Sequence, residues 1–160
     1  MKKLYEIRYL SKDFYDVYTK TSYPELECKE TRPFLVLLVK INDLKFAIPF
    51  RSNITHNFCY KFENSNRISK SSTALDFSKS IIVKDDVYLD NYAFIDKEEY
   101  KELNSKIYFI ISKFKKFLLT YVKIKESYDK NSYKYKLLNY CTLQYFYEEI
   151  KEKLIQEVNV

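Results

Sequence analysis

Polar side chains that could do chemistry are concentrated in residues 51–56. Arg51, Ser52, Asn53, Thr55 and His56 lie within six positions, and His56 is the only histidine in the chain. A guanidinium binds phosphate oxygens through paired hydrogen bonds, and an imidazole exchanges a proton near neutral pH. The serine, asparagine and threonine add groups that can hold non-bridging oxygens. This combination indicates a site for a phosphate ester.

The same groups suit metal-free cleavage of RNA. That reaction needs deprotonation of the 2′-hydroxyl, stabilisation of the charged phosphorane and protonation of the leaving 5′-oxygen. Arg51 and Arg32 can stabilise the charge, and His56 can serve as acid or base. Each residue also has a structural alternative, because Ser52 and Asn53 are common turn formers and a lone histidine is more often structural. The spacing matches no protease or esterase signature.

An apolar hairpin must position this cluster. Phe34–Ile41 is a nearly continuous apolar run that predicts a central strand covered on both faces, and Leu44–Ile48 returns as its partner after a turn at Asn42 and Asp43. Pro49 cannot donate to a strand ladder, so we expect either the end of pairing or a sheet edge there, with the polar cluster in a loop. A rigid scaffold commonly carries reactive groups on such a loop.

The remaining patterns predict one α+β domain over residues 1–160. Alternating or apolar segments predict strands over Leu4–Leu10, Phe58–Phe62, Leu75–Val83 and Val87–Leu89. Helices are expected from Ser11 to about Tyr18, from a capping box at Asp96 and Glu99 to about Leu103, over Ile107–Tyr128, and over Tyr133–Glu157. The fold would be a mostly antiparallel sheet of five or six strands flanked by helices.

Composition excludes several classes of function. The chain has no glycine, so neither a GxGxxG turn nor a P-loop can exist. Cys28, Cys59 and Cys141 are widely spaced, which favours a reducing cytoplasm, and a single histidine argues against zinc; we expect no metal and no cofactor. No apolar run approaches the roughly 20 residues of a membrane-spanning helix, and the N-terminus does not have a signal-peptide pattern.

Positive charge is concentrated in residues 106–136, which hold nine lysines and two carboxylates for a local balance of +7, against +6 for the whole chain. Interleaved tyrosines could stack on unpaired bases while the lysines follow phosphates. The alternative is that these lysines only solvate a helix, but few acidic residues accompany them. The predicted RNA-binding residues are Thr55, Lys61, Lys79, Lys106, Lys113, Lys115, Lys116 and Lys123.

The segment RPFLVLLVKINDLKFAIPFRSNITHNFCY, followed by ALDFSKSIIVKDD and LLNYCTLQYF, resembles toxins of type III toxin–antitoxin systems. The ToxN/AbiQ group is the broad relative and the TenpN branch is most similar. The resemblance covers roughly Arg32–Tyr147, and its most specific part is IPFRSNITH with LDFSK. It implies a compact, strongly twisted sheet flanked by helices and a metal-independent endoribonuclease. Such toxins process a repeat-containing antitoxin RNA, are inhibited by the product, and abort phage infection.

The resemblance also implies roles for individual residues. The active-site serine of the family falls on Ser52, its polar neighbour on Arg51, and a basic residue before the first hairpin strand on Arg32. The family often has a lysine two positions after the serine, where this chain has Ile54. The phosphate cation must then come from Arg51, Arg32 or Lys79. The resemblance leaves open whether His56 is chemical or structural.

These observations lead to an expected function. The chain is predicted to be a cytoplasmic endoribonuclease that leaves 2′,3′-cyclic phosphate ends. Its partners would be cellular RNA and a pseudoknotted, repeat-derived antitoxin RNA in a protein–RNA assembly, with no membrane. Ser52 would position or activate the reacting hydroxyl, and Asn53 and His56 would orient groups or move a proton. The alternatives are a non-catalytic RNA-binding protein and, less favoured, a protein-binding adaptor.

Overall fold

The computed structural model describes residues 3–26, 34–67, 73–127 and 132–158. Its strands form one sheet with the order β4-β5-β3-β2-β1-β7, and β6 pairs with β3 beside this path. Every pairing is antiparallel. The strands are β1 Tyr5–Leu10, β2 Leu35–Ile41, β3 Leu44–Ser52, β4 Cys59–Lys61, β5 Thr73–Asp76, β6 Ile81–Ile82 and β7 Leu89–Tyr92. The predicted α+β class is confirmed, with seven strands in the described residues instead of five or six.

The predicted central hairpin is formed by β2 and β3. Side chains at successive positions Val36 to Val39 are all buried, as expected for a strand covered on both faces. Asn42 and Asp43 make the turn with φ angles of 49° and 66°. Both residues tolerate the left-handed region, which lets a chain without glycine form a two-residue hairpin turn.

Pairing with β2 ends at Pro49, but the prediction that the polar residues after it lie in a loop is wrong for Arg51 and Ser52. Strand β3 continues to Ser52 and changes partner on the side away from β2. On that side, β6 pairs with β3 as far as Ala47, and β5 takes over from Phe50. Pro49 falls between these two partners, where the ladder is interrupted and a missing N–H is tolerated. As a result, Arg51 belongs to a paired strand and not to a loop.

The single strand predicted over Leu75–Val83 is also wrong. Strand β5 ends at Asp76, a 3-10 turn spans Phe77–Lys79, and β6 follows. The Asp76 side chain causes the break, because its carboxylate accepts the N–H of Ser78 and starts the turn. The strand predicted over Val87–Leu89 is displaced for a similar reason: Asp85 caps a 3-10 turn at Asp86–Tyr88, so β7 begins at Leu89.

The helices are α1 Lys12–Val17, α2 Lys97–Glu126, α3 Tyr133–Asn139 and α4 Tyr147–Val158. The helix predicted from Asp96 to about Leu103 and the helix predicted over Ile107–Tyr128 form the single helix α2. The polar residues between them lie on the solvent-facing side of α2 and do not interrupt it. The helix predicted over Tyr133–Glu157 is broken by a 3-10 turn at Thr142–Phe146. There the Thr142 hydroxyl donates to the carbonyls of Ser80 at 2.5 Å and Ser78 at 3.3 Å.

Helix α2 covers one face of the sheet. Phe114 packs against Phe46 of β3, with ring centroids 5.2 Å apart, and at the same distance from Phe77 of the 3-10 turn. Helix α4 packs on α2 in turn, through Tyr121 and Tyr147. The long helix therefore lies directly behind the strand end that carries the polar cluster. Among the described helices, none has both the length and the apolar character needed to cross a membrane.

Candidate active site at the end of strand β3

A buried carboxylate organises the polar residues at the end of β3. Asp76 is the last residue of β5 and its side chain is 0% exposed. Arg51 pairs with Ala74, two residues before Asp76, so Arg51 and Asp76 project from the same face of neighbouring strands. Arg51 Nη1 donates to Asp76 Oδ2 at 2.7 Å. The strand register therefore fixes this ion pair.

The second carboxylate oxygen of Asp76 contacts Ser78 of the 3-10 turn and the ring of His56. Oδ1 accepts hydrogen bonds from the Ser78 N–H at 3.0 Å and from Ser78 Oγ at 2.6 Å. His56 Nε2 lies 3.4 Å from the same oxygen and 3.4 Å from Ser78 Oγ. Both oxygens are engaged, as a fully buried carboxylate requires.

Contacts to both ring nitrogens define the tautomer of His56. Its Nδ1 accepts the backbone N–H of Phe58 at 3.1 Å, so this nitrogen carries no proton in the structure. In the neutral ring the proton is then on Nε2, the nitrogen that faces Asp76. The Cys59 thiol donates to the His56 carbonyl at 3.4 Å, which fixes the backbone of the turn. Asp76 therefore orients His56 with Nδ1 as its basic atom.

The Asp76 carboxylate thus contacts both the guanidinium of Arg51 and the imidazole of His56. The side chains of Arg51 and His56 are 29% and 25% exposed, so solvent reaches both while Asp76 remains covered. A guanidinium has five N–H donors, and its planar fork matches a phosphate. Arg51 and His56 therefore share one buried carboxylate, and each keeps part of its side chain open to solvent.

Ser52 is separated from this group. It is exposed at the end of β3 opposite Thr73, and adjacent residues of a strand project to opposite faces, so its side chain leaves the sheet on the other face from Arg51. Asn53 follows with a left-handed φ of 59° and begins the loop in which Thr55 is exposed. The structure thus brings Arg51 and His56 together but does not bring Ser52 to them.

Two of the predicted RNA-binding lysines contact oxygen atoms within the protein, and Lys113 Nζ lies 5.9 Å from the ring centroid of Tyr60. Lys79 Nζ donates to the carbonyls of Glu25 at 3.0 Å and Tyr140 at 3.1 Å, which ties the 3-10 turn at Phe77–Lys79 to the segments that follow α1 and α3. Lys106 Nζ lies 3.6 Å from a carboxylate oxygen of Glu63. Lys79 is thereby less available to phosphate, whereas the Lys106 side chain is 40% exposed and its ion pair lies at the surface.

The other predicted cations differ in position. Lys113 and Lys116 line a groove beside the His56 loop. Helical spacing of about 100° per residue places Lys115 about 160° from Lys113, on another face of α2. Lys123 is exposed one to two turns beyond Lys116, and Lys61 is exposed on β4. Arg32 lies outside the described residues.

Asp76 and Ser78 were not selected from the sequence, although both lie in the LDFSK segment. A signal was present. Asp76 is the one charged residue in the run ALDF, and a carboxylate in such a strand is rarely buried without partners. A serine two positions later is typical of a turn closed by the aspartate side chain. Among the described residues, no group of three or more histidine, cysteine, aspartate or glutamate side chains could hold a metal ion.

The fold is similar to that of a solved bacterial protein. That structure comes from work on type III toxin–antitoxin systems, in which a toxin is selectively inhibited by a non-coding RNA pseudoknot. The two chains are 17% identical with a TM-score of 0.51, and the match covers 94% of this chain and 99% of the other. The resemblance noted from the sequence is thereby confirmed at the level of the fold. No family model and no curated protein matches the chain.

Proposed function

We propose that this chain is a metal-independent endoribonuclease toxin of a type III toxin–antitoxin system. The observation that carries the proposal is the pair Arg51 and His56 on the buried carboxylate of Asp76, at a strand end in a chain with the fold of such a toxin. The reaction is attack of a ribose 2′-oxygen on the adjacent phosphorus. A P–O bond to the 2′-oxygen forms, the bond to the 5′-oxygen breaks, and the fragment keeps a 2′,3′-cyclic phosphate.

His56 moves the proton in this mechanism. The Asp76 carboxylate lies 3.4 Å from Nε2 and would stabilise the imidazolium by its charge, as the aspartate does in a Ser-His-Asp triad. Nδ1 is then the basic atom. Nδ1 gives up the hydrogen bond that it accepts from the Phe58 N–H and takes the proton of the 2′-hydroxyl. It then donates this proton to the leaving 5′-oxygen. Asp76 is a positioning residue, since it contacts His56 and not the substrate.

Arg51 neutralises the phosphorane. Its guanidinium is fixed by Asp76, so little rotamer freedom remains to be lost when phosphate binds. Ser52, Asn53 and Thr55 hold the RNA backbone next to the scissile phosphate, and Arg32 supplies further charge from the residues before β2. This assignment gives Ser52 a binding role, in keeping with its position on the other face of the strand.

The proposed partner is an antitoxin RNA as well as cellular RNA. The solved toxin of the same fold is inhibited by an RNA pseudoknot. For this chain we propose a repeat-derived RNA of the same kind, which the protein processes and which then occupies the substrate groove in a cytoplasmic protein–RNA assembly. Release of the enzyme during phage infection would then arrest the host.

Incubation of the purified protein with cellular RNA in EDTA tests the proposal. Discrete fragments with 2′,3′-cyclic phosphate ends are expected from the wild type, and His56→Ala should lose cleavage but regain part of it with added imidazole. Ser52→Ala should retain turnover with weaker RNA binding. Intact RNA that is only shifted on a gel would contradict the proposal and favour the non-catalytic RNA-binding alternative. Growth arrest on induction in bacteria provides a second measurement.

A further inference from the structure

An aromatic groove adjoins the proposed site. It lies between the loop after β3 and helix α2, and its volume is about 580 Å³, within the roughly 300–1,000 Å³ of small-ligand sites. Asn57 and Phe58, the two residues after His56, form part of its wall. The rings of His56 and Phe58 are 6.0 Å apart, so the groove is continuous with the proton-transfer group.

Four phenylalanines give the groove its apolar surface. Phe117 packs against Phe58 and Phe77, with ring centroids at 5.6 Å and 5.9 Å. Phe109, from the preceding turns of α2, is 58% exposed at the rim. Its ring lies 6.3 Å from that of Tyr60 with the planes at 71°, and this contact leaves more than half of the side chain open to solvent. A planar ligand can therefore stack on Phe109.

Charge and polarity identify the ligand. Lys113 and Lys116 lie on the same wall as Phe109, and no carboxylate lines the groove among the described residues. Asn57, Ser112 and Thr120 add polar groups that can reach the edge of a base. Single-stranded RNA binds to surfaces that combine aromatic rings for base stacking with cations for the phosphates. The groove has both of these features and a few hydrogen-bonding groups.

We infer that this groove binds an unpaired nucleobase of the RNA next to the scissile phosphate, by stacking on Phe109 beside Lys113 and Lys116. The inference rests on the proposed function for its substrate. It adds a specificity site, because the groove would select an unpaired base at one position relative to the cleaved bond. It also explains why the aromatic side chain is exposed beside two lysines.

Short single-stranded 2′-O-methyl RNA provides a probe that cannot be cleaved, so binding is measured apart from catalysis. A matched probe has the same phosphates but lacks the bases. With the wild-type protein the base-free probe should bind about 5- to 150-fold more weakly, the range for loss of base–aromatic stacking. In Phe109→Ala most of this difference should disappear, because the stacking surface is gone.

Tyr108→Ala is the matched control, since Tyr108 is 74% exposed on α2 and does not line the groove. It should behave as the wild type. An equal preference for bases in Phe109→Ala and the wild type, or an equal loss in Tyr108→Ala, would overturn the inference. If a glutamate-rich peptide binds at the groove and RNA does not, the occupant is a protein and the inference is also overturned.

The two proposals fail in different ways. If RNA with 2′-hydroxyls is cleaved but Phe109→Ala keeps the wild-type preference for bases, the groove assignment alone is wrong. If base-dependent binding through Phe109 is found but no RNA is cleaved, the groove assignment stands and the enzymatic function is wrong.

Discussion

Arg51 and Asp76 form a 2.7 Å ion pair whose carboxylate is completely buried, although the residues are 25 positions apart in the chain. Removal of the negative charge should leave the guanidinium and the donors of Ser78 and His56 directed at a neutral amide. We therefore expect Asp76→Asn to lower the free energy of unfolding by about 3 kcal/mol, the lower end of the range for breaking a buried pair. Urea denaturation followed by circular dichroism measures this loss.

Asp86→Asn is the control for that substitution. Lys45 and Asp86 are also 2.7 Å apart, but the Asp86 side chain is 82% exposed. An exposed pair of this kind contributes under about 1 kcal/mol, so this variant should unfold near the wild-type urea concentration. Equal losses from the two substitutions would show that burial of Asp76 does not determine its importance.

A second prediction concerns Glu102, which lies buried on α2. Its carboxylate accepts hydrogen bonds from Tyr60 Oη at 2.9 Å and from the backbone N–H groups of Glu63 and Asn64 at 3.0 Å and 3.2 Å. Burial and this hydrogen bond raise the pKa of the Tyr60 phenol. Since hydrogen bonds to a charged group each contribute about 1.5–3 kcal/mol, Glu102→Gln should cost about 2–3 kcal/mol and speed amide exchange at residues 63 and 64.

Glu98→Gln provides the comparison for Glu102. Glu98 is on the same helix, and its carboxylate lies 3.0 Å from Lys101 at the surface. Its replacement should change stability by no more than about 0.5 kcal/mol and leave exchange at residues 63 and 64 unaltered. Faster exchange at those amides in both variants would contradict the role assigned to Glu102.

The parts of the fold that depend on local pattern could be predicted from the sequence. The β2–β3 hairpin has an apolar run, an Asn-Asp turn and an apolar return, and each of these agrees with the others. The extension of β3 beyond Pro49 could not be predicted, because it depends on β5, which lies more than 20 residues further along the chain. Proline stops pairing only when a partner needs its N–H.

The candidate site was predictable in its residues but not in its geometry. Arg51 and His56 lie within one six-residue segment and stood out by residue type. Their common partner Asp76 comes from another strand, and only the register places it beside them. Strand alternation also separates Ser52 from Arg51, which proximity in sequence does not reveal.

A third prediction follows from Cys141, which is buried directly before the 3-10 turn at Thr142–Phe146. Burial raises the pKa of its thiol to about 12. In the unfolded chain a cysteine ionises near pH 8.5, so above about that pH only the unfolded state loses this proton. The contribution of the neutral thiol is therefore complete below about pH 8.5 and is lost as the pH rises toward 12, by about 1.4 kcal/mol per pH unit.

Comparison of the wild type with Cys141→Ala isolates this effect, since all other groups titrate in both proteins. The stability advantage of the wild type at neutral pH should shrink by about 1.4 kcal/mol per unit between about pH 9 and 11. Urea denaturation at a series of pH values gives the two curves. A constant difference across that range would show that Cys141 ionises equally in the folded and unfolded states.

A fourth prediction separates lysines that contact RNA from lysines that only face solvent. Lys116 lines the aromatic groove, whereas Lys115 lies on another face of α2, and both are exposed. Each phosphate contact with a single strand contributes about 0.7 to the slope of log affinity against log salt concentration, because binding releases counterions. Lys116→Ala should thus reduce the slope by about 0.7 for the uncleavable RNA probe, and Lys115→Ala should leave it unchanged. Since the two variants lose the same charge, a similar reduction in both would mean that the protein attracts RNA through its overall charge and that α2 has no preferred face.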